Sequence, residues 1–447
     1  MAEFKDRKVE MEELKETLDK KGFAFEIIYG RRRIGKTELI LQATKNKKRV
    51  YYLATGENNL ERFYNVCVDY DKNIEKLKKD YEVLFGYLKN NVDIIIIDEF
   101  QNIIRENPEF LKLFQAIIDL QLKNSNLKLF ILGSSVSMIT SKVLSYQSPV
   151  YGRKTASLKL KNISFLDLRE FFPKADAEEI IRIYGFADGI PFYLIKIDKS
   201  FWSWIQDELK REKGFLRDEV DFLMKLEFED SSTYKLILNA IANGKNTINE
   251  IKDFIKVQRT DIIPYIRNLI EVDFIKREVP ITENQKSRFG RYYLKDNFLK
   301  FWFKYIYPNL SSIEQGIFKV EGIKRDYPSY LGPIFEEVVK QSLTSFKFFN
   351  FSKMGRWWHK DKEIDVVALN EESKEVLFGE CKFRDKINAE KIVSELKDKA
   401  HYVDWENEKR NESYAVFAKS FKKKINEFEG KKVYCFDLKD IEKMLRG

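Results

Sequence analysis

Positions 30–37 read GRRRIGKT, a basic loop bounded by two glycines that ends on a lysine and a hydroxyl. The glycines let the backbone curl so that successive N–H groups converge on an anion. A helix starting beyond the loop adds its positive end. Lys36 can then reach the β- and γ-phosphates of a nucleoside triphosphate, and the Thr37 hydroxyl can ligate Mg²⁺. Gly30, Arg31, Arg32, Arg33, Ile34, Gly35, Lys36, Thr37 and Glu38 are the expected ATP-binding residues. The isoleucine run 94–97 ends in Asp98 and Glu99. Asp98 would hold the Mg²⁺ shell, and Glu99 would polarise the water that attacks the γ-phosphate. In the turn Gly133-Ser134-Ser135, either serine offers a small polar side chain to the γ-phosphate.

A second acid–base set lies near the other end of the chain. Asp365 falls in one apolar run, and Glu380 and Lys382 end the next. Two residues apart on a strand, Glu380 and Lys382 share a face, and a hairpin would bring Asp365 to the same end. Two carboxylates and a lysine can hold Mg²⁺, activate a bound water and stabilise charge on a scissile phosphate. Glu336, on a helix expected from Pro333 to Leu343, would be a third metal ligand. This is the PD-(D/E)xK nuclease pattern. It can equally be read as a cross-strand ion pair, or as a nuclease-like fold kept only for binding DNA.

These residues need particular elements behind them. Strands at 25–29, 49–54, 93–98 and 127–132 alternate with helices at 36–45 and 108–123, a rhythm that predicts a parallel sheet covered by helices. An uninterrupted isoleucine run suits a strand buried on both faces, and the carboxyl ends of such strands are where these sheets bind ligands. The expected α/β architecture has five parts: a P-loop ATPase core at 1–172, a helical lid at 173–230, a winged helix at 231–300, a connecting helical segment at 301–328, and an α/β restriction-endonuclease-like domain at 329–447. In the winged helix, Thr247 and Glu250 make a capping box. Its third helix runs from Arg259 to Val272, and Lys276, Arg277, Lys286, Arg288 and Arg291 line a wing that could face DNA. The aromatic residues Phe301, Trp302, Phe303, Tyr305 and Tyr307 read as core.

The composition narrows the function classes. The 447 residues are 44% hydrophobic and 34% charged, enough apolar surface for several folded domains and not a disordered chain. A net charge of +9 suits a polyanionic partner without identifying one. Three scattered cysteines and two histidines argue against disulfides, structural zinc and imidazole chemistry. The charged N-terminus is not a signal peptide, and no stretch is long and apolar enough for a membrane span. A cytoplasmic protein is expected.

The segments FKDR (4–7), GRRRIGKT, DEFQ (98–101), the GSS turn, YGR (151–153), DGIPFYL (188–194), FLKFWFKYIYP (298–308) and EIDVVAL with FGECKF together resemble the archaeal ATPase family. That family belongs to the STAND branch of AAA-like P-loop NTPases, here in the version with a C-terminal restriction-endonuclease-like domain. The resemblance implies an ATPase core, a winged helix and a nuclease-type module. It also implies that Arg153 contacts a γ-phosphate, in cis or from a neighbouring subunit. Asp188 stands where such families often carry a glycine. The expected protein binds and hydrolyses ATP with Mg²⁺ and acts on DNA, with a homo-oligomer left open. The alternative is a nucleotide-dependent switch or scaffold whose C-terminal domain is catalytically idle.

Overall fold

The computed structural model describes residues 4–228, 230–256 and 261–446. Packing divides them into two units. The first holds 1–162 with 190–192 and 271–273, and the second holds 163–189, 193–270 and 274–447. The expected boundary at 172 therefore falls inside the second unit, which also takes in most of the expected lid.

In the first unit, helix α1 (Lys8–Asp19) precedes β1 (Ala24–Tyr29), α2 (Lys36–Ala43), β2 (Arg49–Leu53), α3 (Asn59–Tyr70), α4 (Tyr81–Asn91), β3 (Ile94–Asp98), α5 (Gln101–Glu106), α6 (Phe110–Ile117), β4 (Lys128–Gly133) and β5 (Ala156–Lys159). The five strands form one sheet in the order β2-β3-β4-β1-β5, with every neighbouring pair parallel. All residues of β3 and β4 are buried, as expected for strands covered on both faces. One face packs Phe25, Ile95, Ile97, Leu129 and Ile131 against Phe63, Phe85 and Phe114. The other packs Ile28, Ile96, Phe130 and Leu132 against Leu14, Leu39 and Ile40. Helices α3 and α4, which the sequence reading did not place, fill the crossover between β2 and β3.

In the second unit, helices at Ala177–Ala187, Phe201–Lys210 and Phe215–Glu227 lead to three more, at Ser232–Ala242, Ile248–Ile255 and Ile263–Glu271, and then to an antiparallel pair, β6 (Ile275–Glu278) and β7 (Arg291–Leu294). The Thr247–Glu250 capping box is present. The expected start of the third helix, Arg259, lies outside the described residues. Phe301, Trp302 and Phe303 are fully buried, in keeping with the core reading.

The helix expected from Pro333 runs instead over Glu321–Phe346, with Pro328 and Pro333 inside it. Each proline removes one backbone hydrogen bond and crowds the turn before it, so neither was a boundary. This helix packs against β9 (Lys362–Asn370) and β10 (Glu375–Lys382). Those strands sit beside β8 (Lys353–His359) in an antiparallel arrangement, and β11 (Asn411–Ala418) then joins β10 in parallel. The helix Ala389–Ala400 covers the sheet through Val393, Leu396 and Ala400.

Candidate functional site

The phosphate loop leaves the carboxyl end of β1 and enters α2 directly. Gly35 has φ +91, a left-handed conformation that costs a side chain but not a glycine. A Cβ on Gly30 would lie 2.6 Å from the Leu160 carbonyl oxygen, so that position has no room for another residue. Lys36 is buried, and its Nζ donates to the carbonyls of Gly30 and Arg31, both at 2.9 Å. These two bonds fix the ammonium at the loop's centre, where phosphate oxygens would replace the carbonyls as acceptors. The Arg33 guanidinium lies 3.9 Å from the centroid of the Phe192 ring, and Pro191 approaches Gly35, so these two residues buttress the loop.

β3 and β4 bring the remaining groups to the same sheet edge. Asp98 is 2% exposed. One of its oxygens accepts from Thr37 Oγ1 at 2.6 Å and from the Tyr51 hydroxyl at 2.9 Å, and the other accepts from the Glu99 N–H at 2.8 Å. Burial and the Asp98 charge push the Tyr51 phenol well above its usual range, so it stays a donor. Glu99 has φ +52, an uncommon backbone for a residue with a side chain and one that recurs at functional sites. Its carboxylate accepts from Ser134 Oγ at 2.6 Å and from Gln101 Nε2, with an Arg32 nitrogen at 3.5 Å. Glu38 follows Thr37 in the first turn of α2. Hard oxygen donors on a buried carboxylate and a hydroxyl fit Mg²⁺, so Thr37 and Asp98 would hold it.

Two contributors escaped the sequence reading. Arg7 is 5% exposed, pairs with Glu10 at 2.8 Å, and donates to the Ile34 carbonyl at 3.2 Å, tying the start of the chain to the phosphate loop. FKDR was noted only as a shared string, and no spacing signalled its partner. Tyr51 was the other, and only the pairing of β2 with β3 reveals it.

Arg153 is a correction. It precedes β5, whose Ala156 lies beside Glu26 while Lys159 lies beside Tyr29. Arg153 is thus at the amino-terminal edge of the sheet, most of a strand length, on the order of 20 Å, from the loop after Tyr29. There it pairs with Asp119 at 2.9 Å. That position does not suit a contact with a γ-phosphate in cis. Asp188, by contrast, sits at φ +50 after its helix. Aspartate tolerates that left-handed position better than most residues, which explains its place in a glycine position.

In the second unit, β9 and β10 bring Asp365 and Glu380 together one step beyond their last ladder pair, Val366 with Gly379. Asp365 accepts from the Cys381 N–H at 2.8 Å. Glu380 pairs with Lys382 at 2.6 Å and with Lys399 at 3.0 Å. Glu336 accepts from the Arg356 guanidinium, with Nε at 2.9 Å. Burial, with Glu336 and Glu380 nearby, pushes Asp365 up to about 7. Lys399 and Arg356 were not foreseen, because both reach the cluster from other elements.

The three carboxylates are held by different partners. Among the described residues, no group of three or more His, Cys, Asp or Glu is spaced to hold a metal, and cations pair with Glu336 and Glu380. The basic wing is corrected in the same way. Lys276 pairs with Glu278 and Glu337, Arg277 donates to the Gln285 carbonyl, and Arg291 pairs with Glu363, leaving only Lys286 and Arg288 exposed.

Comparison with known proteins agrees with the first unit. Residues 4–197 match an ATPase domain found predominantly in Archaea, and residues 302–392 match a family of archaeal and bacterial proteins of unknown function. The Walker-type ATPase PABY2304 of Pyrococcus abyssi aligns with 67% of this chain and 96% of its own, at 22% identity and a TM-score of 0.52, which is a likeness of fold. The ORC2 protein of Aeropyrum pernix aligns at a TM-score of 0.47, with 15% identity over 70% of this chain and 95% of its own, too low to carry an argument. No helix among the described residues is long and apolar enough to cross a membrane. The uncharacterized protein MJECL04 of Methanocaldococcus jannaschii is 50% identical over 98% of this chain and 100% of its own length. The chain belongs to the same family as that protein, an archaeal family of P-loop ATPases.

Proposed function

We propose that the protein hydrolyses ATP and uses the nucleotide state to control a DNA-acting module built from its winged helix and its C-terminal domain. The observation that carries the ATPase half is the convergence of Lys36, Thr37, Asp98, Glu99 and Ser134 at one sheet edge. The loop amides and Lys36 bind the triphosphate. Mg²⁺ held by Thr37 and Asp98 would neutralise charge on the β- and γ-phosphate oxygens. Glu99, positioned by Ser134 and Gln101, orients a water against the γ-phosphorus and receives its proton. The bond to the β–γ bridging oxygen breaks and ADP departs. Control of the second module requires ATP and ADP to differ in affinity for two states of the protein.

A PD-(D/E)xK-type reading of the C-terminal domain is supported by Asp365 and Glu380 meeting at neighbouring strands, with Lys382 paired to Glu380. A second reading is supported by its ion pairs: with Glu336 and Glu380 held by cations, the domain binds polynucleotide and does not cut it. One experiment tests both halves. Lys36→Ala should abolish ATP turnover. Lys382→Ala should spare turnover and remove any Mg²⁺-dependent cleavage of plasmid or linear DNA. ATP turnover by the Lys36 variant would defeat the first reading. Absence of cleavage by the unaltered protein would decide for the idle domain.

A further inference from the structure

Two hydroxyls meet the same oxygen of Asp98. Its Oδ2 accepts from Thr37 Oγ1 at 2.6 Å and from the Tyr51 hydroxyl at 2.9 Å, while Oδ1 accepts from the Glu99 N–H at 2.8 Å. A carboxylate oxygen has two lone pairs, so Oδ2 is filled and Oδ1 keeps one. The two hydroxyls are not equivalent. Thr37 can go on donating its proton to Oδ2 while its own lone pair meets a cation, so that bond is compatible with a bound metal. Tyr51 fills the other half of Oδ2 from a different strand.

The sheet sets the position of Tyr51. β2 runs parallel to β3 with Tyr51 beside Ile96 and Leu53 beside Asp98. The tyrosine ring packs on the apolar cluster that contains Ile94, Ile96 and Phe130. A rigid ring with two torsions, wedged in this way, leaves its hydroxyl little freedom. Asp98 is 2% exposed, so bulk water does not compete for the oxygen that the phenol occupies. This bears on which cation fits. Mg²⁺ demands near-octahedral geometry at about 2.0–2.1 Å, whereas Ca²⁺ takes more oxygens, at about 2.3–2.6 Å, and accepts both oxygens of one carboxylate. A carboxylate with one oxygen already filled cannot chelate in that second way.

We infer that Tyr51 is a positioning residue for Asp98: by holding Oδ2 it leaves a single oxygen to face the metal shell, and so favours Mg²⁺ over Ca²⁺ in the nucleotide complex. The inference rests on the ATPase reading of the first unit and adds what selects the ion. The test is calorimetry of the full chain with the non-hydrolysable ATP analogue AMP-PNP, in Mg²⁺, in Ca²⁺ and in EDTA. The unaltered chain should bind the Mg²⁺ complex more tightly than the Ca²⁺ complex, and Tyr51→Phe should shrink that ratio at least threefold. Equal binding of the two complexes by the unaltered chain, or a ratio unmoved by Tyr51→Phe, would overturn the inference and leave the ATPase reading intact. An equal loss in all three conditions would also overturn it, because Tyr51 would then only support the fold. Failure of the unaltered chain to bind AMP-PNP in any condition would overturn both the inference and the ATPase reading beneath it.

Discussion

Thr37 Oγ1 stands 2.6 Å from Asp98 Oδ2, joining the start of α2 to the end of β3 across the intervening edge of β4. This one bond unites the phosphate loop with the carboxylate edge. Asp98→Asn keeps the shape but replaces the charged oxygens that a divalent cation needs, so ATP turnover should fall by about 100-fold or more. Phosphate release measured across a Mg²⁺ titration checks this, and a normal rate at ordinary Mg²⁺ would remove Asp98 from the metal shell.

Glu99 should behave differently. Glu99→Gln keeps the bond from Ser134 but cannot accept the proton of the attacking water. ATP should bind as before while turnover drops by about 100- to 10,000-fold. Calorimetry beside single-turnover kinetics separates the two effects, and a parallel loss of binding would show that Glu99 supports the loop instead.

The two arginines Arg7 and Arg153 make a contrast. Arg7→Ala leaves the buried Ile34 carbonyl without its donor, at a cost of about 1–3 kcal/mol, and should weaken ATP binding along with stability. Arg153→Ala removes a partly exposed pair at the far edge of the sheet, worth less than about 1 kcal/mol, and should leave ATP affinity unchanged. Denaturant unfolding and ATP titration of both variants check this. A large loss of ATP affinity in the Arg153 variant would call for a neighbouring subunit.

Asp365 predicts a pH dependence of stability. Its carboxyl is raised in the folded protein to about 7 from an ordinary 3.8. The folded state therefore holds this proton more tightly than the unfolded chain does. The group favours folding when protonated, and that advantage is lost as pH rises from about 4 towards 7. Asp365→Asn should then raise the melting temperature at pH 8 and make little difference at pH 4. A variant destabilised equally at both values would mean that the Cys381 N–H bond outweighs the buried charge.

Much of the first unit was legible because its signals are local. Four consecutive isoleucines can hardly be anything but a buried strand, and a glycine-bounded loop before Lys36 fixes where the sheet must open. The misses arose where distant residues decide. Lys276 and Arg291 looked like part of a DNA-facing wing because their partners Glu337 and Glu363 lie tens of residues away, and Arg277 because its partners are backbone carbonyls, which leave no mark in a sequence. Pro333 looked like a helix start because a lost hydrogen bond inside a long helix leaves no mark on the pattern. Asp98 and Glu99 were found from their strand, whereas Tyr51 and Arg7 needed the third dimension.

The two prolines within Glu321–Phe346 carry a mechanical implication. A helix missing ladder bonds at Pro328 and Pro333 is most pliable there, and Glu336 stands one turn past the second. The Glu336–Arg356 ion pair therefore anchors, to the sheet that bears Asp365, a turn whose own backbone ladder is incomplete.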